Sequence, residues 1–147
     1  MRFYKYQGAG NDFLIADNRS GSIREDKGVL YFVEEDGSER SLAIAELCDR
    51  RYGVGADGLM LLETSEGHDF RMVYFNSDGS GGMMCGNGGR CMVAFAADKG
   101  ISHYDFIAAD GFHTAEIISD DGTSKVVRLK MRDVYGLSRY ESLTGVD

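Results

Sequence analysis

The stretch Cys91-Met92-Val93-Ala94-Phe95-Ala96-Ala97 carries no polar side chain, and it lies within a segment, roughly 87–99, that reads as a helix closed by Gly100. A helix that is apolar on every side has to be covered on every side. The rest of the chain reads mainly as strands, and only strands wrapped about this helix would hide it. With 147 residues there is enough chain for one compact domain with a real core. The expected fold class is α+β: a curved, mostly antiparallel sheet around a central buried helix, in a single domain over residues 1–147.

Strand-like alternation covers 2–6 and 13–17, either side of the turn Gln7-Gly8-Ala9-Gly10-Asn11-Asp12, and then 28–34 before a hairpin-like Glu35-Asp36-Gly37. Further strands are expected at 59–63 and 70–75, the latter followed by the turn Asn76-Ser77-Asp78-Gly79. A meander follows at 104–109, 112–119 and 126–131, with tight turns at Asp110-Gly111 and Asp120-Asp121-Gly122. Ser41 is placed to cap another helix over 42–52, with Leu42, Ile44, Ala45, Leu47 and Cys48 grouped on one side. Gly53 then suits a left-handed helix exit. The 20 glycines and the lack of any proline leave the sharp turns to Gly with Asp or Asn. The polar stretch 140–147 shows no closing element, which suggests half of a longer polypeptide.

Charge and composition exclude several classes. A formal net charge of −8 and a pI near 4.8 argue against a broad phosphate-binding surface, so no nucleic-acid partner is expected. No apolar run approaches the ~20 residues that span a bilayer, and the polar start is no secretory signal. Three cysteines suit reduced thiols better than a disulfide framework. The chain reads as soluble and cytoplasmic, with no membrane partner.

The chemistry concentrates at Met84-Cys85-Gly86-Asn87-Gly88-Gly89-Arg90-Cys91. A cysteine at the mouth of a glycine-rich turn, directly before a helix, stands among unpaired backbone N–H groups at the helix's positive end. Such a place favours thiolate and receives carboxylates. Most cysteines in soluble domains are inert and buried, but an inert cysteine needs no bare glycines around it. Cys85 is the candidate catalytic residue. Cys91 follows it by six residues, a rise of ~9 Å on a helix, while a disulfide wants Cα atoms within ~7 Å. Cys91 and Cys48 are expected in the core. The spacing lacks the short loop of a zinc site. His68, His103 and His113, scattered near strand ends, are expected to be exposed, so no metal is expected.

Gly8-Ala9-Gly10-Asn11-Asp12-Phe13 leads into a strand and Gly53-Val54-Gly55-Ala56-Asp57-Gly58 runs from helix to strand, so neither fits a dinucleotide fingerprint. Asn76 reads either as a turn former or as a polar contact for a ligand beside the thiol, and spacing alone does not choose.

Taken together, the blocks at 8–13, 49–58, 75–80 and 84–91, in this order, resemble the diaminopimelate epimerase family. The resemblance covers essentially the whole chain but only the first half of the family. It implies a cofactor-independent amino-acid epimerase of lysine and cell-wall precursor synthesis, interconverting LL- and meso-diaminopimelate. It also implies two similar halves, each a curved sheet around a buried helix, with the substrate between them. Carried over by position, Cys85 matches one of two catalytic cysteines, and Asn11, Asn76, Gly86 and Asn87 match substrate-binding positions. Gly58 falls where some relatives have a longer polar side chain. The loop 81–84 is less polar than expected of the family, and 21–40 is longer and more acidic.

Inverting an α-carbon removes a proton from one face and returns one to the other, which suits a pair of groups, one as thiolate base and one as thiol acid. Cys91, on the same helix as Cys85, would not reach around a substrate, and Cys48 reads as core. In the family the second cysteine comes from the other half. The chain alone is therefore expected to carry half a site with little or no activity, unless a homodimer brings two Cys85 thiols together. The expected partner is a small amino-acid substrate, with no cofactor. Rival readings are another cofactor-independent racemase of the same architecture, acting on proline or phenazine precursors, and a non-catalytic carboxylate-binding module. A thiol-redox role would need a resolving cysteine that the sequence does not offer Cys85.

Overall fold

The computed structural model describes residues 1–83, 85–134 and 137–146, with side chains as far as residue 130. Two strands open the chain, β1 (Tyr4–Gly8) and β2 (Asn11–Asp17). A small antiparallel sheet follows, β3 (Arg24–Asp26), β4 (Val29–Val33) and β5 (Glu39–Ala43), leading into a short helix α1 (Ile44–Cys48). Strands β6 (Gly58–Glu63) and β7 (Phe70–Asn76) precede the long helix α2 (Gly86–Asp98). The meander β8 (Tyr104–Ala108), β9 (Gly111–Asp120) and β10 (Lys125–Val134) continues into β11 (Leu137–Val146).

Eight strands close a barrel in the order β1-β11-β10-β9-β8-β7-β6-β2. All neighbours are antiparallel except β2 with β6 and β7 with β8. Parallel neighbours need a crossover of about a dozen residues or more. The first crossover is the small sheet with α1, laid on the outside. The second is α2, which runs through the middle. Gly88–Ala96 of α2 are all buried, as the unbroken apolar run demands. Inward-facing Phe13, Ile15, Met60, Leu62, Phe70, Met72, Phe106, Val127 and Leu129 pack against it. Phe70 and Phe106, paired across β7 and β8, stack at 4.8 Å between ring centroids. The curved sheet around a central buried helix is the architecture expected from the sequence.

A second core lies outside the barrel wall. Leu14, Ala16, Leu59, Leu61 and Phe75 face outward and are covered by Leu30, Phe32, Ile44 and Cys48. Strands β2 and β6 are therefore buried on both faces, which is why Phe13-Leu14-Ile15-Ala16 and Leu59-Met60-Leu61-Leu62 show no polar alternation. The long connection at 21–40 thus has a structural job: it supplies most of the outer sheet. At the far end of the barrel, Tyr6 donates to Asp98, Lys125 pairs with Asp98 at 2.9 Å and Asp120 at 3.2 Å, and Lys99 donates to the Tyr4 hydroxyl at 2.7 Å. These polar pins hold the C-terminal turn of α2. Gly100 leaves it at φ 91, the left-handed exit expected there.

Four local expectations are corrected. Ser41 caps no helix: it pairs with Tyr31 inside β5, and α1 is only five residues long, starting after Ala43 with no side-chain cap. Long-range pairing with β4 takes 41–43, the expected cap and start of the 42–52 helix, into β5. Gly53 is not left-handed. Its backbone passes so close to α1 that a Cβ would lie 1.9 Å from the Glu46 carbonyl oxygen. His113 is buried, at 1 % exposure, while His68 is half-buried and only His103 is exposed. Finally, the polar end does carry a closing element, because β11 pairs with β10 and meets β1 at Gly8↔Val146. Asp147 lies outside the described residues.

Candidate active site

Helix α2 begins at one mouth of the barrel. Cross-strand register defines what surrounds it: Phe13 of β2 lies beside Gly58 of β6, and Gly58 lies opposite Asn76 of β7. Side chains alternate along a strand, so Asn11, Phe13, Gly58, Tyr74 and Asn76 all belong to the inner face at this end. The sequence-predicted residues Cys85, Asn11, Asn76, Gly86 and Asn87 are thus brought to one rim.

Cys85 is the N-cap residue of α2, with extended backbone at φ −107 and ψ 161. Its Sγ accepts from the Gly88 amide at 3.3 Å, in the manner of a capping serine, and the Gly89 amide donates to the Cys85 carbonyl at 2.9 Å. The first amides of a helix have no intrahelical acceptor, which leaves those of Gly86 and Asn87 directed outward beside the sulfur. Gly88 makes this packing feasible. A Cβ there would stand 3.3 Å from Cys85 Sγ, with Met72 Cε at 3.5 Å and Met60 Sδ at 3.6 Å. Cys85 is exposed, whereas Cys48 and Cys91 are buried and all three are free thiols. Burial pushes the Cys91 thiol up to about 12 and raises Cys48 as well. Both belong to the core, as expected. Met84, directly before Cys85 in the loop 81–84, lies outside the described residues.

The asparagines are tied into one chain of hydrogen bonds. Arg90, 3 % exposed, donates to the Asn87 carboxamide oxygen, and Asn87 Nδ2 donates to Asn11 Oδ1 at 2.7 Å. Asn11 Nδ2 in turn donates to Asp57 Oδ2 at 3.1 Å, an oxygen that also receives the Asp12 amide at 3.0 Å. Arg50 bridges Asp12 at 2.7 Å and Asp57 at 3.0 Å, and Lys5 meets Asp12 at 3.0 Å. The Arg50 guanidinium, with Lys5 assisting against the cost of burial, holds the Asp12 carboxyl well below the usual carboxylate range. The start of β2, the start of β6 and the first turn of α2 are locked together by these bonds. Asn76 sits differently. Its amide and carbonyl close the turn to Ser80 and Gly79, and its Nδ2 donates to Ser80 Oγ at 3.1 Å. The turn-former role is realised, on the rim of the same mouth.

Sequence reasoning missed Asp57, Arg50, Asp12 and Tyr74. The first three lay inside blocks it had singled out, but only spatial proximity shows that they hold Asn11. Tyr74 was legible as an inward position of β7, two residues before Asn76. Burial, then the neighbouring Cys85 and Asp57, raise its phenol, which therefore keeps its proton at neutral pH. Beyond Arg71↔Ile107 strand β7 parts from β8, and a groove of about 470 Å³ opens there, lined by Met72, Tyr74, Gly82, Met83 and Ala108 among others. Among the described residues no helix is long and apolar enough to cross a membrane, and no three His, Cys, Asp or Glu side chains gather as a metal site would require. His113 is bound instead to Asp110, Nε2 to Oδ1 at 2.7 Å.

A barrel closed around a buried helix is also seen among solved structures. A Bacillus anthracis phenazine biosynthesis protein of the PhzF family matches 88 % of this chain and 41 % of its own with a TM-score of 0.57, at 16 % identity, a likeness of fold alone. The family model for diaminopimelate epimerase matches residues 3–131. The diaminopimelate epimerase of Flavobacterium psychrophilum is 46 % identical over 136 residues, covering 91 % of this chain and 46 % of that protein. That of Chlorobaculum tepidum is 45 % identical over 128 residues, covering 84 % and 43 %. The chain belongs to the diaminopimelate epimerase family, and it spans about half the length of the curated relatives it matches.

Proposed function

We propose that this chain is the first half of a cofactor-independent epimerase that interconverts LL- and meso-diaminopimelate, with Cys85 as one of its two proton-transfer groups. The observation that carries the reading is the capping geometry of Cys85: an exposed sulfur beside the outward amides of Gly86 and Asn87. Those amides suit a carboxylate, and amide dipoles aimed at it stabilise the charge that spreads from the α-carbon as the proton leaves. Cys85 as thiolate takes the α-proton, and the C–H electron pair passes into the carboxylate-stabilised carbanion. A thiol on the opposite face returns a proton to the same carbon, so the two sulfurs exchange protonation states in each turnover. Family membership supports the substrate assignment.

The second thiol has to come from outside the described mouth. Cys91 lies within α2 in the core and Cys48 lies outside the barrel wall, so neither faces a ligand held at Cys85. The chain alone is accordingly assigned little or no turnover, with Asn11, Asn76, Gly86 and Asn87 as the substrate-binding positions on this side. A small amino acid is the partner, and a cytoplasmic setting suits three free thiols.

Deuterium incorporation at the α-carbon in heavy water tests the proposal. The polypeptide joined to a cysteine-bearing second half should exchange diaminopimelate and leave proline unlabelled, while the 147-residue chain by itself should exchange neither. Exchange of proline in preference to diaminopimelate would move the chain to another substrate. Turnover by the chain alone would require two copies to combine, and sedimentation would show that dimer.

A further inference from the structure

Tyr74 stands opposite Met60 across β6 and β7, and its ring leans toward the mouth into a slot between two glycines. A Cβ on Gly58 would come within 2.8 Å of the Tyr74 hydroxyl oxygen, and one on Gly82 within 2.6 Å of its ring carbon Cε1. Phe13 meets the ring edge-on, with centroids 6.1 Å apart. Neither glycine has a positive φ, so their conformation does not call for glycine. Space does: at 82 the phenol ring and Asn76 Oδ1 occupy it, and at 58 the phenol and the Phe75 carbonyl. The phenol is thus seated and held in place. Yet among the described residues its hydroxyl makes no hydrogen bond. On one side it borders the rim that carries Asn11 and Asn76, and on the other the groove between β7 and β8, which leaves room for the body of a ligand.

The geometry points to Tyr74 as a ligand-contacting residue: seated over Gly58, its phenol O–H donates to a carboxylate oxygen of the amino acid held at the Cys85 turn. This rests on the function proposed above. A phenol fixed in advance between two glycines loses little freedom when it bonds a ligand, so the contact adds to affinity without an ordering cost. The carboxamide groups of Asn11, Asn76 and Asn87 already donate within the protein, so among the described side chains of the rim the phenol is the one that joins the outward Gly86 and Asn87 amides as a donor to the carboxylate.

The test compares the 147-residue chain with its Tyr74→Phe variant, which keeps the ring and removes only the hydroxyl. Each is titrated with meso-diaminopimelate and followed by the NMR shifts of the Gly86, Asn87 and Gly88 amides, with thermal midpoints recorded in parallel. A lost hydrogen bond to a charged group predicts affinity weaker by about tenfold at an unchanged midpoint. Shifts in both proteins with equal affinity would overturn the role of Tyr74 and leave the proposed function standing. No amide shift in the parent chain would overturn that function, and this inference with it. A lower midpoint with shifts spread through the barrel would make the phenol structural and refute the contact.

Discussion

Cys85→Ser in the assembled enzyme is expected to cut α-proton exchange by roughly 10²–10⁴-fold, the usual contribution of a positioned general base or acid. Serine is chosen because it keeps the cap. A hydroxyl at this position can accept from the Gly88 amide as the sulfur does, so the helix start survives while the ionisable thiol is gone. Ligand affinity should fall by less than about threefold, because the carboxylate is received by amides rather than by sulfur. Cys85→Ala removes the cap as well and should add a stability loss of about 1 kcal/mol. Rate loss with binding retained is the signature of chemistry at this residue. Equal losses of rate and affinity would mean that the sulfur holds the ligand instead.

Gly53→Ala should be strongly destabilising, the tightest site for an added methyl among the described glycines. The added carbon would meet three backbone carbonyl oxygens, those of Glu46 at 1.9 Å, Leu47 at 2.8 Å and Asp49 at 3.1 Å. None of these is the far end of a flexible side chain. The Val54 and Gly55 amides both donate to the Leu47 carbonyl at 3.0 Å, and Ala56 donates to Cys48 at 3.1 Å, so the segment cannot lift away without losing them. A cost of about 3 kcal/mol or more is expected, at the upper end of what overpacking produces. Gly81→Ala is the control: nothing lies within 4 Å of its added carbon and its φ is not positive, so its urea midpoint should shift by no more than about 0.5 kcal/mol equivalent. A Gly53→Ala protein as stable as the Gly81→Ala control would show that α1 and the loop after it are not packed as described.

The parts of the fold that could be read from the sequence are those decided by local pattern. The apolar run around Phe95 announced a buried helix, and the alternating meander announced antiparallel strands. What escaped was set by distant partners. Residues 41–43 look like the cap and start of a helix, yet β4 captures them as part of a strand, because Leu30 and Phe32 need a sheet to lay over the outer wall. Gly53 looked like a helix exit because its sequence neighbours are all that a linear reading sees, whereas its true constraint is the closeness of a carbonyl seven residues earlier. His113 is polar in sequence and buried in fact, its ring set beside Phe106 and bonded to Asp110. The site follows the same division. Cys85 was visible because the glycines and the helix are contiguous with it. The Asn11–Asp57–Arg50 lock reaches across 46 positions and the Tyr74 slot draws on Phe13, Gly58 and Gly82, and only the folded chain brings them together.

The measurement that bears most directly on the thiol at the barrel mouth is site-resolved alkylation of the folded chain with iodoacetamide, read by mass spectrometry with and without meso-diaminopimelate. At mildly alkaline pH, Cys85 should be modified while Cys48 and Cys91 stay intact, since both are buried and burial holds Cys91 up at about 12. Added ligand should slow the modification of Cys85 alone. Cys85 left unmodified, or modified at the same rate under saturating ligand, would contradict the account.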